Sequence, residues 1–147
     1  MALGIGIISA RPRDPFHRSR SGLAFNFFMA EITIIDSQAL SALRALNLDD
    51  NDDFIREIVE IFIEDTARRI EELEKSRREG DLGTFIRAAH SIKGSASNLG
   101  AIVLRGTAEK LEYQTRHQGW AETAVLVEQI RREFGEASGE LTKLLSR

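Results

Sequence analysis

The chain has 147 residues, a net charge of −3 and no cysteine. That length fits one domain with a single modest core. The missing thiols exclude disulfides and thiolate metal sites, the slightly acidic balance argues against nucleic-acid binding, and no run approaches the roughly 20 apolar residues that span a bilayer. A soluble, cytoplasmic, monomeric protein is expected.

Residues 1–30 differ from the rest. Arg11, Arg13, Arg18 and Arg20 against Asp14 make residues 1–28 net +3, leaving −6 for the remainder. Pro12 and Pro15 are the chain's only prolines, and no helical period appears around them. As a secretory signal the segment fails, because its apolar stretch precedes the arginines instead of following them. It reads as a flexible basic tail or, preferably, as residues upstream of a start at Met29. The folded domain is expected over 31–147.

From there the apolar pattern is helical, with no sustained period of two. A short helix is predicted near 36–46, with Asp36 as its N-cap and Leu40 and Leu43 facing the core. A longer one near 52–78 presents Ile55, Ile58, Val59, Phe62, Ile70 and Leu73, and Gly80 stops it. Asp81 caps a third helix that ends near Gly100. A fourth, near 102–116, buries Leu104, Ala108, Leu111 and Thr115, and Gly119 closes it. The fifth, near 121–145, repeats Val127, Ile130, Phe134, Ala137, Leu141 and Leu144 at almost heptad spacing. Gly135 and Gly139 weaken that helix and leave open whether it is one piece or two. The fold class is all-α: an up-and-down antiparallel four-helix bundle with a short extra N-terminal helix.

The third helix carries the chemistry. At about 100° per residue, Leu82, Phe85, Ala89, Ile92, Ala96 and Leu99 fall on one arc, and His90 lies about 130° from its middle. A lone helical histidine is ordinarily structural or merely solvated, but this position off the apolar stripe removes the core explanation. Residues three and four apart are neighbours on a helix, so His90 stands beside Lys93 and one turn from Gly94. An exposed imidazole nitrogen can act as a nucleophile, and an adjacent ammonium can hold an anion such as a phosphoryl group. Glycine inside a helix costs about 1 kcal/mol against alanine, so Gly94 calls for a packing or access reason, and close approach of another protein to the imidazole supplies one. Ser97 shares the histidine's face and Arg87 flanks it. With Ser91 and Gly94 they are the expected partner-contacting residues. Asn98 is read as a helix-end residue and Gly100 as a C′ residue.

The run His90, Lys93, Gly94, Ser95, Ala96, Gly100, Ala101 resembles the signature H-x-x-K-G-[SA]-[SA]-x-x-x-G-[AL] of the histidine phosphotransfer (HPt) domain of multistep two-component phosphorelays, over roughly residues 31–147. The resemblance implies a stand-alone phosphocarrier in signal transduction. His90 would accept a phosphoryl group from a receiver-domain aspartate, with Lys93 as charge partner, and pass it to another receiver aspartate. It also implies that the chain needs no cofactor and no ATP site of its own, because the receivers of response regulators or hybrid kinases supply Mg²⁺. In such domains the helix after the histidine often presents a Gln or Glu to the ring nitrogen not used in transfer, and Glu112 matches that position. A proton held on Nδ1 leaves Nε2 free to attack.

Two other classes of function remain. An enzyme using His90 as acid or base would need a second catalytic group, and none is visible. A bundle that sequesters receivers without transfer would need no histidine or lysine, and both are present. His17 and His117 have no supporting constellation. The sequence holds no His/Glu/Asp set with metal-ligand spacing and no Gly-rich phosphate loop.

Overall fold

The computed structural model describes residues 33–47 and 52–146. The expectations for the basic tail, the start at Met29 and His17 lie outside the described residues. Five helices follow one another without strands among the described residues: α1 (Ser37–Ala45), α2 (Asp53–Glu79), α3 (Leu82–Asn98), α4 (Ile102–Gln118) and α5 (Thr123–Leu145).

Local chemistry sets the boundaries. Asp36 accepts the amide hydrogen of Gln38 at 2.9 Å and so caps α1. Asp81 caps α3 by accepting from the Thr84 amide at 3.0 Å and from the Thr84 hydroxyl at 2.6 Å. Gly80 takes a left-handed φ of 71° immediately after α2, which a residue without Cβ does at little cost. The short α2–α3, α3–α4 and α4–α5 connections force antiparallel neighbours. Across the closing seam, Arg77 near the end of α2 donates to Thr123 at the start of α5 at 3.2 Å. Arg56 near the start of α2 donates to the Leu145 carbonyl at 2.9 Å. Helix α3 packs against α2 and α4, and α5 closes the bundle against α2 and α4.

The core is the one the periodicity marks out. Ile55, Val59, Phe62, Ile70 and Leu73 of α2 meet Phe85, Ala89, Ile92 and Ala96 of α3, Leu104, Ala108 and Leu111 of α4, and Val127, Ile130, Ala137 and Leu141 of α5. Phe134 sets its ring edge-on to Phe62 at 6.1 Å. Leu43, Ile58 and Leu144 are partly buried at the margin.

Helix α5 runs unbroken from Thr123 to Leu145 through both Gly135 and Gly139. Both glycines are exposed, and a Cβ at either would meet nothing within 4 Å. Their cost is therefore propensity alone, about 1 kcal/mol each, while the opposite face buries Ile130, Ala137 and Leu141 completely. At about 1.5–3 kcal/mol per large buried side chain, packing wins.

Gly100 does more than end α3. Its φ is 68°, and a Cβ there would lie 2.7 Å from the Ala39 Cβ and 2.9 Å from the Asp36 carbonyl oxygen. The Gly100 carbonyl also accepts from the Asp36 amide at 2.7 Å. The α3–α4 turn is thus the seat on which α1 rests.

Candidate functional site

His90 sits midway along α3, on the side away from Phe85, Ala89 and Ile92, and its side chain is 63% exposed. Glu112 of α4 lies across the α3–α4 seam. It is one residue past the buried Leu111, at the edge of a stripe formed by Leu104, Ala108, Leu111 and Thr115, and only 8% of it is exposed. One group is presented to solvent and the other is held between helices.

They touch. The His90 Nδ1 lies 2.9 Å from the Glu112 Oε1. The Lys93 ammonium is 2.8 Å from Oε2, and the Arg116 guanidinium donates to Oε1 at 3.2 Å. Burial by itself would raise the Glu112 carboxyl, but hydrogen bonds from Lys93, His90 and Arg116 outweigh it and bring its pKa down from 4.5 to about 2. The carboxylate is therefore ionised at neutral pH and can only accept. A neutral imidazole beside it must carry its proton on Nδ1, which leaves the Nε2 lone pair unprotonated. The arrangement is chemically that of an oriented nucleophile.

The remaining sequence candidates fall as follows. Lys93 is not a free ammonium one turn from the imidazole: it is 26% exposed and bound to Glu112. Gly94 is exposed and a Cβ on it would enter open space, so nothing among the described residues requires a glycine there. Ser97 is exposed and Ser91 half-buried beside the histidine. Arg87 folds back along its own helix, donating to the Thr84 hydroxyl at 2.7 Å. His117 lies against the Tyr113 ring at 4.3 Å. Sequence reasoning missed Arg116, although it stands four residues after Glu112 and so on the same helical face. Among the described residues no group of three His, Cys, Asp or Glu converges as metal ligands, and no helix is long and apolar enough to cross a membrane.

The described residues form a helical bundle that presents the His90 imidazole to solvent with the nearly buried Glu112 carboxylate behind it. The Hpt domain family matches residues 57–140, and the chain belongs to that family of histidine phosphotransfer domains. Among solved structures it is similar to histidine-containing phosphotransfer protein B (HptB) of Pseudomonas aeruginosa PAO1. The two share 27% identity with a TM-score of 0.71, over 79% of this chain and 97% of that one. No curated protein matches the chain by sequence. Histidine phosphotransfer in phosphorelays is the function at this level: such proteins are phosphocarriers rather than kinases, and they meet receiver domains.

Proposed function

We propose that His90 is the phosphoacceptor of a relay intermediate that takes its phosphoryl group from one receiver aspartate and yields it to another. The observation that carries this reading is the Nδ1 contact at 2.9 Å to an ionised, buried Glu112, on a ring whose other edge meets solvent. In the forward step the Nε2 lone pair forms the N–P bond as the acyl P–O bond of the aspartyl phosphate breaks. The bonding electrons return to the receiver's carboxylate. Nδ1 keeps its proton, and the positive charge that develops on the ring faces Glu112. Phosphoryl transfer is largely positioning and charge neutralisation. With Mg²⁺ and the acidic pocket supplied by the receiver, this chain needs no ATP site and contributes an aimed nucleophile, a nearby cation in Lys93 and an unobstructed approach over Gly94.

Incubation with a ³²P-phosphorylated receiver domain tests the reading. The chain should acquire an acid-labile, base-stable label, and His90→Gln should acquire none. Label retained by that variant would move the acceptor elsewhere and overturn the assignment.

A further inference from the structure

The Glu112 carboxylate has more partners than it needs to hold an imidazole. Oε2 is taken by Lys93 alone, at 2.8 Å. Oε1 is shared by His90 at 2.9 Å and Arg116 at 3.2 Å. Two permanent cations thus converge on one carboxylate, leaving a surplus positive charge before any phosphoryl group arrives.

The two cations differ in a way that suggests a division of labour. Lys93 is a compact charge on a flexible stem, three residues from His90 and so on a neighbouring stretch of the same helix surface. A phosphoryl group arriving on Nε2 brings two negative charges into competition with the single charge of Glu112 for that ammonium. Arg116 extends from α4, the helix that bears Glu112, and is four residues further along it. Its planar fork suits a carboxylate. Lys93 moving alone would leave an 8% exposed carboxylate facing only the ring N–H, and a buried charge stripped of its partner is strongly disfavoured. With Arg116 in place the departure strands nothing.

We propose, on the reading that His90 is the phosphoacceptor, that Arg116 is a positioning residue: it anchors Glu112 under the ring while Lys93 transfers from the carboxylate to the incoming phosphoryl group. Glu112 gives up one of its two cations during the reaction, keeps the other, and never loses its hold on Nδ1–H.

The test uses the full chain labelled with ¹⁵N and phosphorylated with phosphoramidate, in which Nε2 takes the phosphoryl group and ammonia leaves. Nitrogen shifts report the ring tautomer before and after. The unphosphorylated Arg116→Gln variant should keep the Nδ1–H tautomer, because Lys93 still holds the carboxylate. Its phosphorylated form should lose the protected Nδ1 proton that the wild type retains, and labelling should slow by about tenfold, equivalent to about 1.4 kcal/mol in the barrier. Arg116→Lys should restore both. Lys93→Ala should keep the tautomer in both states, and Arg116→Gln combined with Lys93→Ala should lose it even before phosphorylation. An Arg116→Gln variant that matches the wild type after phosphorylation, or a double variant that keeps its tautomer, overturns the inference while leaving His90 as acceptor. A wild type that takes no label, or a His90→Gln variant that does, overturns the functional reading and this inference with it.

Discussion

Replacing Glu112 with Gln should destabilise the bundle at neutral pH and leave it almost unaffected at pH 2. A carboxyl brought from 4.5 to about 2 on folding is favoured in its ionised form by about 3 kcal/mol, at about 1.36 kcal/mol per pH unit. The carboxylate is nearly buried, but two of its three partners are more than half exposed, His90 at 63% and Arg116 at 54%. Solvent screens those two contacts, so the measurable loss should be about 1–3 kcal/mol. Glutamine keeps an acceptor for the ring N–H but meets Lys93 and Arg116 with a neutral group. Because the folded value lies below the unfolded one, the contribution is complete above about pH 4.5 and disappears as the pH falls through about 2. Urea unfolding of the wild type and of Glu112→Gln at pH 7, 5, 4, 3 and 2 reads this directly. The gap between the two curves should hold down to about pH 4.5 and then close. A gap that stays constant to pH 2, or a Glu112 side-chain ¹³C resonance that titrates near 4.5, would refute the claim that Lys93, His90 and Arg116 jointly hold the carboxylate ionised.

Three further outcomes follow from the same geometry. His90→Gln should leave the far-UV circular dichroism unchanged and shift stability by no more than about 1 kcal/mol, since the side chain lies off the core and loses one hydrogen bond, while acid-labile labelling disappears. Gly94→Gln should stabilise the domain by up to about 1 kcal/mol, because a side chain there meets open space and helix propensity improves. Transfer from a phosphorylated receiver should nevertheless slow by at least about tenfold, and a wild-type rate would remove the access argument. Gly100→Ala should cost about 2–4 kcal/mol in urea unfolding, from the left-handed backbone and from the 2.7 Å approach to Ala39. A loss below about 0.5 kcal/mol would mean that α1 is not seated on that turn.

The sequence disclosed the parts of the structure that depend on nearby residues. Asp36 and Asp81 cap their helices through amides two and three residues on. Gly80, Gly100 and Gly119 all take positive φ at helix ends. The placement of His90 needed only helical geometry along α3. Polarity patterns failed where a polar side chain satisfied itself inside the bundle. Ser76 is buried yet donates to the Glu72 carbonyl at 2.6 Å. Thr107 is buried under Gln129, which donates to its hydroxyl at 3.2 Å, and the same amide donates to Glu133 Oε1 at 2.8 Å, leaving only Oε2 of that buried carboxylate without a partner among the described residues. Hydroxyls that bond to their own helix backbone, and amides that bridge two helices, make burial affordable in ways that periodicity does not record. Gly135 and Gly139 mark the opposite limit, since local propensity left one helix or two open and burial of the far face decides for one.

The site divides along the same line. That His90 faces outward is a property of α3 alone, whereas what holds its ring from behind is a property of the α3–α4 seam. Glu112 lies just beside Leu111 and four residues beyond Ala108, both fully buried, so the rotation that packs α4 into the core carries the carboxylate to the rim of the seam. There it is withdrawn enough from water for its hydrogen bonds to be strong, yet close enough to the surface for Lys93 and Arg116 to reach it with their charges partly solvated. A carboxylate one position further into the core would lose those cations. One position further out, at Tyr113, the side chain is 64% exposed, and an ion pair there would contribute little. The four-helix packing therefore fixes the place on α4 where an acid can hold the Nδ1 edge of an exposed imidazole.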